Sequence, residues 1–65
     1  MPPFRVEYYC PRQGPIWQGQ GYRSNIQSAA MLAQMIKPPN GWSRIVDAQG
    51  FIVGVLTQGG VWEWN

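Results

Sequence analysis

The chain has no histidine, one cysteine and only three carboxylates, and each shortage removes a class of chemistry. Acid-base work near neutral pH draws on histidine or on paired carboxylates, and Glu7, Asp47 and Glu63 are scattered singly. One cysteine without histidine cannot assemble a zinc site from one chain, and no spacing among the three acids resembles a calcium loop. Gln18-Gly19-Gln20-Gly21 and Gln58-Gly59-Gly60 are glycine-containing, but neither opens a helix in a phosphate- or dinucleotide-binding pattern, so they read as bulge and turn. The expectation is a protein that is not an enzyme, with no metal and no cofactor.

The solitary Cys10 excludes a disulfide within the chain and suggests a reducing compartment. It leaves a buried apolar thiol, a reactive thiol or an intermolecular link as options. No stretch reaches the roughly 18 apolar residues of a membrane span, and Met1-Pro2-Pro3-Phe4-Arg5 lacks the apolar core of a secretory signal. A cytoplasmic protein with no membrane partner is expected. Charge is scarce too: five Lys and Arg against three Asp and Glu leave +2, despite a pI of about 9.1. Arg5, Arg12, Arg23, Lys37 and Arg44 stand singly, whereas a phosphate-binding surface needs clustered cations. Nucleic acid is a possible partner and not the favoured one.

Aromatic rings are what the chain does have: four Trp, three Tyr and two Phe in 65 residues. A domain this short buries only about 60% of the surface its unfolded chain exposes, so its core is marginal without a staple or a partner. Rings in surplus of that core become contact surface.

Residues Phe4 to Cys10 alternate, with Phe4, Val6, Tyr8 and Cys10 on one face and Arg5, Glu7 and Tyr9 on the other, which predicts a half-buried strand. Pro11 stops it, Arg12-Gln13-Gly14-Pro15 turns the chain, and Ile16 to Tyr22 resumes an extended pattern. Gly19 and Gly21 there mark a bulge or a close approach of another backbone. A helix is expected from Ser24, with Gln27 completing a capping box, to Lys37-Pro38-Pro39, where proline cannot continue the ladder. Ile26, Ala29, Ala30, Leu32, Ala33 and Ile36 share its sheet-facing stripe, whose three alanines let the axis lie close to the strands. Met31 and Met35 fall on the opposite side, either as helix formers lying over neighbouring surface or as a flexible apolar ridge for a partner.

After the turn dipeptide Asn40-Gly41, strands are expected over Trp42 to Asp47, Phe51 to Thr57 and Val61 to Trp64, separated by Ala48-Gln49-Gly50 and Gln58-Gly59-Gly60. The middle one is apolar on both faces, so it belongs inside the sheet with something over its far side. The assembled fold class is α+β, one domain over residues 1–65, in the order β-β-α-β-β-β: a single antiparallel sheet with one helix packed on one face. The uncovered face is expected to carry some of Tyr9, Trp17, Trp42, Trp62 and Trp64, either as an open aromatic patch or folded over the sheet edges as a small second core.

An amino-terminal proline is one further catalytic device that a chain of this length can carry. Tautomerases of similar length use an amino-terminal proline as base, which here would need Pro2 freed by loss of Met1. Pro3 follows at once, and a hairpin before the helix departs from their strand-then-helix order. The whole arrangement, with the closing phrases Arg44-Ile45-Val46-Asp47-Ala48-Gln49-Gly50 and Gly59-Gly60-Val61-Trp62-Glu63-Trp64, resembles some very small phage-encoded anti-CRISPR proteins. That resemblance implies an inhibitor that binds a CRISPR surveillance complex and blocks its access to DNA.

The resulting expectation is a non-enzymatic protein-interaction module that occludes a larger partner or pairs with itself, for example as a homodimer. Its contacts would come from Trp17, Tyr22, Met31, Met35, Trp42, Trp62 and Trp64, with Arg12, Arg23 and Arg44 on the rim, because aromatic and Arg side chains are the usual interface anchors. Single-stranded nucleic-acid binding by ring stacking and an obligate homo-oligomer are the alternatives.

Overall fold

Alternation, glycines and prolines resolve into five strands and one helix in the computed structural model, which describes residues 3–14 and 16–65. The elements are β1 (Phe4–Tyr9), a 3-10 turn (Pro11–Gln13), β2 (Gln18–Arg23), α1 (Ile26–Ile36), β3 (Trp42–Val46), β4 (Ile52–Leu56) and β5 (Trp62–Trp64). The strands form one antiparallel sheet in the order β2-β1-β3-β4-β5. The β-β-α-β-β-β fold with one helix on one face is therefore the structure of the chain. Pro15, part of the expected first turn, and Pro2, the tautomerase-like base, lie outside the described residues.

The helix carries the chain from β2 back to the other side of β1, so β1 becomes an inner strand and β2 an edge. Every strand is a little shorter than its apolar run. β1 stops at Tyr9, leaving Cys10 half-buried with a free thiol at the start of the 3-10 turn. β2 begins at Gln18 rather than Ile16, because Trp17 is turned over the sheet instead of extending its edge. The two glycines of β2 flank a bulge: Gly21 pairs with Val6 and Gly19 with Glu7, leaving Gln20 as the extra residue.

β3 ends at Val46 because Asp47 serves the turn. Its Oδ1 accepts from the Gln49 and Phe51 amides at 3.0 and 2.9 Å. Gly50 closes that turn at φ 90° and Gly60 closes the next at φ 85°, a left-handed conformation that glycine adopts without a Cβ clash. Thr57 plays in the second turn the part of Asp47 in the first, its hydroxyl accepting from the Val61 amide.

The helix starts one residue later than the Ser24–Gln27 capping box predicts. Asn25 is the N-cap, its side-chain oxygen accepting from the Ser28 amide at 2.8 Å. Asparagine caps at least as well as serine, so the neighbouring residue wins the position. At the other end the chain leaves the helix at Lys37, whose amide donates to the Ala33 carbonyl, ahead of Pro38 and Pro39.

Val6, Ala29, Ala33 and Ile45 are fully buried, with Phe4, Ile26, Ala30, Leu32, Ile36, Val53 and Trp62 packed around them. Ala29 and Ala33 remove bulk at the centre of the contact, so the helix sits close over β1 and β3 and the larger residues fill its margins. Ser43, fully buried beneath it, donates its hydroxyl at 2.8 Å to the Ala33 carbonyl, which also accepts from the Lys37 amide, so the buried hydroxyl is satisfied. No described helix is long and apolar enough to cross a membrane.

Candidate interaction surface

Cross-strand partners in an antiparallel sheet share a face, so the register sorts every ring to one side. Val6 pairs with Ile45, Tyr8 with Ser43, Ser43 with Leu56, Leu56 with Trp62 and Gly54 with Trp64, and these residues lie on the helix side. Arg5 with Val46, Glu7 with Arg44, Tyr9 with Trp42, and Val55 with Glu63 lie on the far side. Of the five rings considered for the uncovered face, Tyr9, Trp17 and Trp42 are there, and Trp62 and Trp64 are not. The two indoles lie on the helix side over β4 and β5, Trp62 against the margin of the core and Trp64 further out.

On the far face the rings do not lie open. The Tyr9 centroid is 5.5 Å from both Trp17 and Trp42, and all three rings are half-buried. Trp17 folds back from the β1–β2 connection until its ring meets the Arg44 guanidinium, whose carbon is 4.1 Å from the ring centroid. Arg44 Nε in turn donates to Glu7 Oε1 at 2.7 Å, and Arg5 Nε lies 3.1 Å from Glu7 Oε2. Glu7 is 7% exposed, a carboxylate buried on a face with no helix, and two cations flank it. A Cβ on Gly19 would fall 2.8 Å from Arg5 Nη2, so the bare glycine backbone is what lets Arg5 lie flat across β2. The far face is thus a second, mixed core of rings and ion pairs. It covers the outer side of β3 and leaves β4 partly open at Ile52.

On the helix side Trp62 and Trp64 stack with centroids 4.5 Å apart and planes 13° apart. Trp64 lies on Gly54, where any Cβ would overlap its ring, and it remains about half exposed. Across the helix, Met31 is 65% and Met35 80% exposed, as the helical phase of the sequence predicts. With Leu32, Ser28 and Arg23 they line a shallow groove of about 220 Å³ between α1 and β2. Leu32 forms its floor: its Cδ2 would be 3.4 Å from a Cβ on Gly21.

The ten expected contact residues therefore do not form one surface. Met31, Met35 and Arg23 come together at the α1–β2 groove; Trp62 and Trp64 form a separate ledge near β5; and Trp17, Trp42 and Arg44 are engaged with one another's neighbours in the far-face core. Tyr22 is exposed on the far side of β2 opposite Arg5, and Arg12 is exposed in the 3-10 turn. Sequence reasoning missed exposed Phe51 and Ile16 and half-open Ile52, which it assigned to strands on apolar character alone. It also missed Leu32 as a groove residue, since helical phase put it wholly in the core stripe.

Charge is divided in the same way. Glu7 and Glu63 belong to the far face and Asp47 to the β3–β4 turn, so no carboxylate side chain borders the groove. Arg5 and Arg44 are committed to Glu7, while Arg23 and Lys37, near the two ends of α1, enter no ion pair among the described residues. No group of metal-ligating side chains is found among the described residues. No protein-family model matches the chain, and no curated protein or solved structure matches it.

Proposed function

We propose that this chain is a non-enzymatic, cytoplasmic protein-interaction module, an inhibitor-like domain that binds and occludes a larger protein complex. The observation carrying this reading is the ridge of Met31 and Met35, 65% and 80% exposed on a helix whose other side is packed to the limit. Exposed methionines cost a small domain burial it can hardly spare, and their unbranched, polarizable side chains repack against varied partners. The half-exposed Trp64 offers a second contact on the same side of the sheet. Resemblance to small phage-encoded anti-CRISPR proteins supports the inhibitor part of the reading. Nucleic-acid binding has less support, because Arg5 and Arg44 share the Glu7 carboxylate and the Trp17 face is already occupied by Arg44.

The test pairs light scattering at two concentrations with affinity capture from the host, using wild type and a Met31→Lys, Met35→Lys double variant. The variant keeps the fold, since both side chains are solvent-facing, and loses the co-purifying complex or the self-association that wild type shows. Wild type and variant with the same mass and the same captured proteins would overturn the reading.

A further inference from the structure

The sheet has two outer strands, and their edges differ. Along β2 the pairing is interrupted by the bulge at Gln20, and the Tyr22 carbonyl accepts from Arg23 Nη1 at 2.7 Å. β5 is regular. The Asn65 amide donates to the Val53 carbonyl and the Thr57 amide to the Val61 carbonyl, so Val53–Asn65 and Thr57–Val61 are hydrogen-bonded positions. Alternation along an antiparallel ladder then turns the Glu63 amide and carbonyl towards β4, and those of Trp62 and Trp64 away from it to the open side. The side chains divide by face, Trp62 and Trp64 on the helix side and Glu63 on the far side. The Trp64 ring lies back over Gly54 with Trp62 stacked on it, so the indoles lean across β4 rather than over the edge.

We propose that the free edge of β5 receives an extended segment of a partner protein in which a Lys or Arg stands between two apolar residues, added as a further strand of the sheet. This site goes beyond the methionine ridge and uses a different surface of the chain. Main-chain hydrogen bonds to Trp62 and Trp64 supply attachment, and the two faces supply selection. The basic side chain lies beside Glu63, which is exposed and enters no ion pair among the described residues. The flanking apolar side chains lie on the other face, beside Trp62 and the half-exposed Trp64.

Charge decides between this segment and a second copy of the chain. An antiparallel β5–β5 pair that uses the outward groups of both Trp62 and Trp64 is centred on Glu63, which sets the two Glu63 side chains directly opposite each other. Like charges in that position destabilise a sheet, whereas a Lys or Arg there stabilises it. Short edge strands that carry a charge resist self-pairing, so Glu63 both deters the copy and fixes the sign of the strand that fits. Three residues suffice, since β5 itself holds to β4 through three paired positions.

The probe is a capped heptapeptide alternating valine and lysine, followed by amide NMR shifts and hydrogen exchange. Saturable shifts are expected at Trp62 and Trp64, whose amides exchange freely in the chain alone and become protected with peptide, while the Glu63 amide is protected throughout. A valine–glutamate counterpart should bind about fivefold more weakly, and Glu63→Lys should reverse that order. N-methylation of one alternate set of peptide amides should abolish binding and of the other set should leave it, which separates strand addition from apolar contact with the indoles. The Met31→Lys, Met35→Lys variant should bind the peptide as wild type does. Absent shifts, shifts indifferent to peptide charge or N-methylation, or binding lost in the methionine variant overturn the proposal, as does wild-type self-association through β5 that excludes the peptide. A peptide that fails while the methionine variant still loses its captured complex sinks the β5 site alone. A methionine variant that captures normally while the peptide binds sinks the ridge reading alone.

Discussion

Replacing Glu7 by glutamine tests whether the far face is a built core or a surface left open for a partner. The substitution keeps the size of the side chain and removes its charge. Glutamine's oxygen can still accept from Arg44 Nε, now 2.7 Å from Oε1, but its NH2 group then confronts the Arg5 guanidinium as donor against donor. The Arg44 bond is charge-assisted and its carboxylate side chain is only 9% exposed, so weakening it costs about 1.5 kcal/mol. Arg5 is 47% exposed, and solvent limits its share to about 0.5 kcal/mol. The sum of about 2 kcal/mol is a large part of the roughly 3–10 kcal/mol expected for a domain of this length. It should lower the melting temperature by about 10 °C, read by circular dichroism and checked by urea denaturation. A double-mutant cycle with Arg44→Gln should return a coupling of about 1 kcal/mol. A melting shift below about 2 °C with no coupling would refute the reasoning, and the far face would then be available as a contact surface.

Two further substitutions probe local devices. Asn25→Ala should destabilise the domain by about 1 kcal/mol in thermal denaturation, whereas Ser24→Ala should be nearly neutral. The opposite order would return the cap to the residue the sequence pattern favours. Gly54→Ala should displace the Trp64 ring and remove the exciton coupling of the Trp62–Trp64 stack from the circular dichroism spectrum, at a cost of about 1–2 kcal/mol from the overpacked contact. An unchanged exciton signal would mean that the two indoles do not stack as described.

Much of the fold was legible because it depends on near neighbours. Period-two alternation over Phe4–Tyr9, glycines flanking Gln20, and prolines after Lys37 act within a few residues, and each produced the element expected of it. Errors were local as well: Asn25 and Ser24 compete for one cap, and Asp47 was read as strand although its carboxylate favours the turn. The candidate surface was legible only in part. Helical phase alone exposes Met31 and Met35, but nothing near Glu7 in the chain announces that Arg44, 37 positions away, will neutralise it.

The sequence by itself determined which segments are strand and which is helix, where they stop to within a residue or two, and that two thioethers face away from the core. These follow from backbone sterics and side-chain periodicity, which act along the chain. Tertiary structure alone decided that Trp62 and Trp64 share the helix's side while Trp17 closes over Arg44, that a carboxylate is buried on an uncovered face, and that β2 is left as the sheet's outer strand. Those outcomes depend on strand order and register, and both are set by burial and pairing between residues that the sequence places far apart.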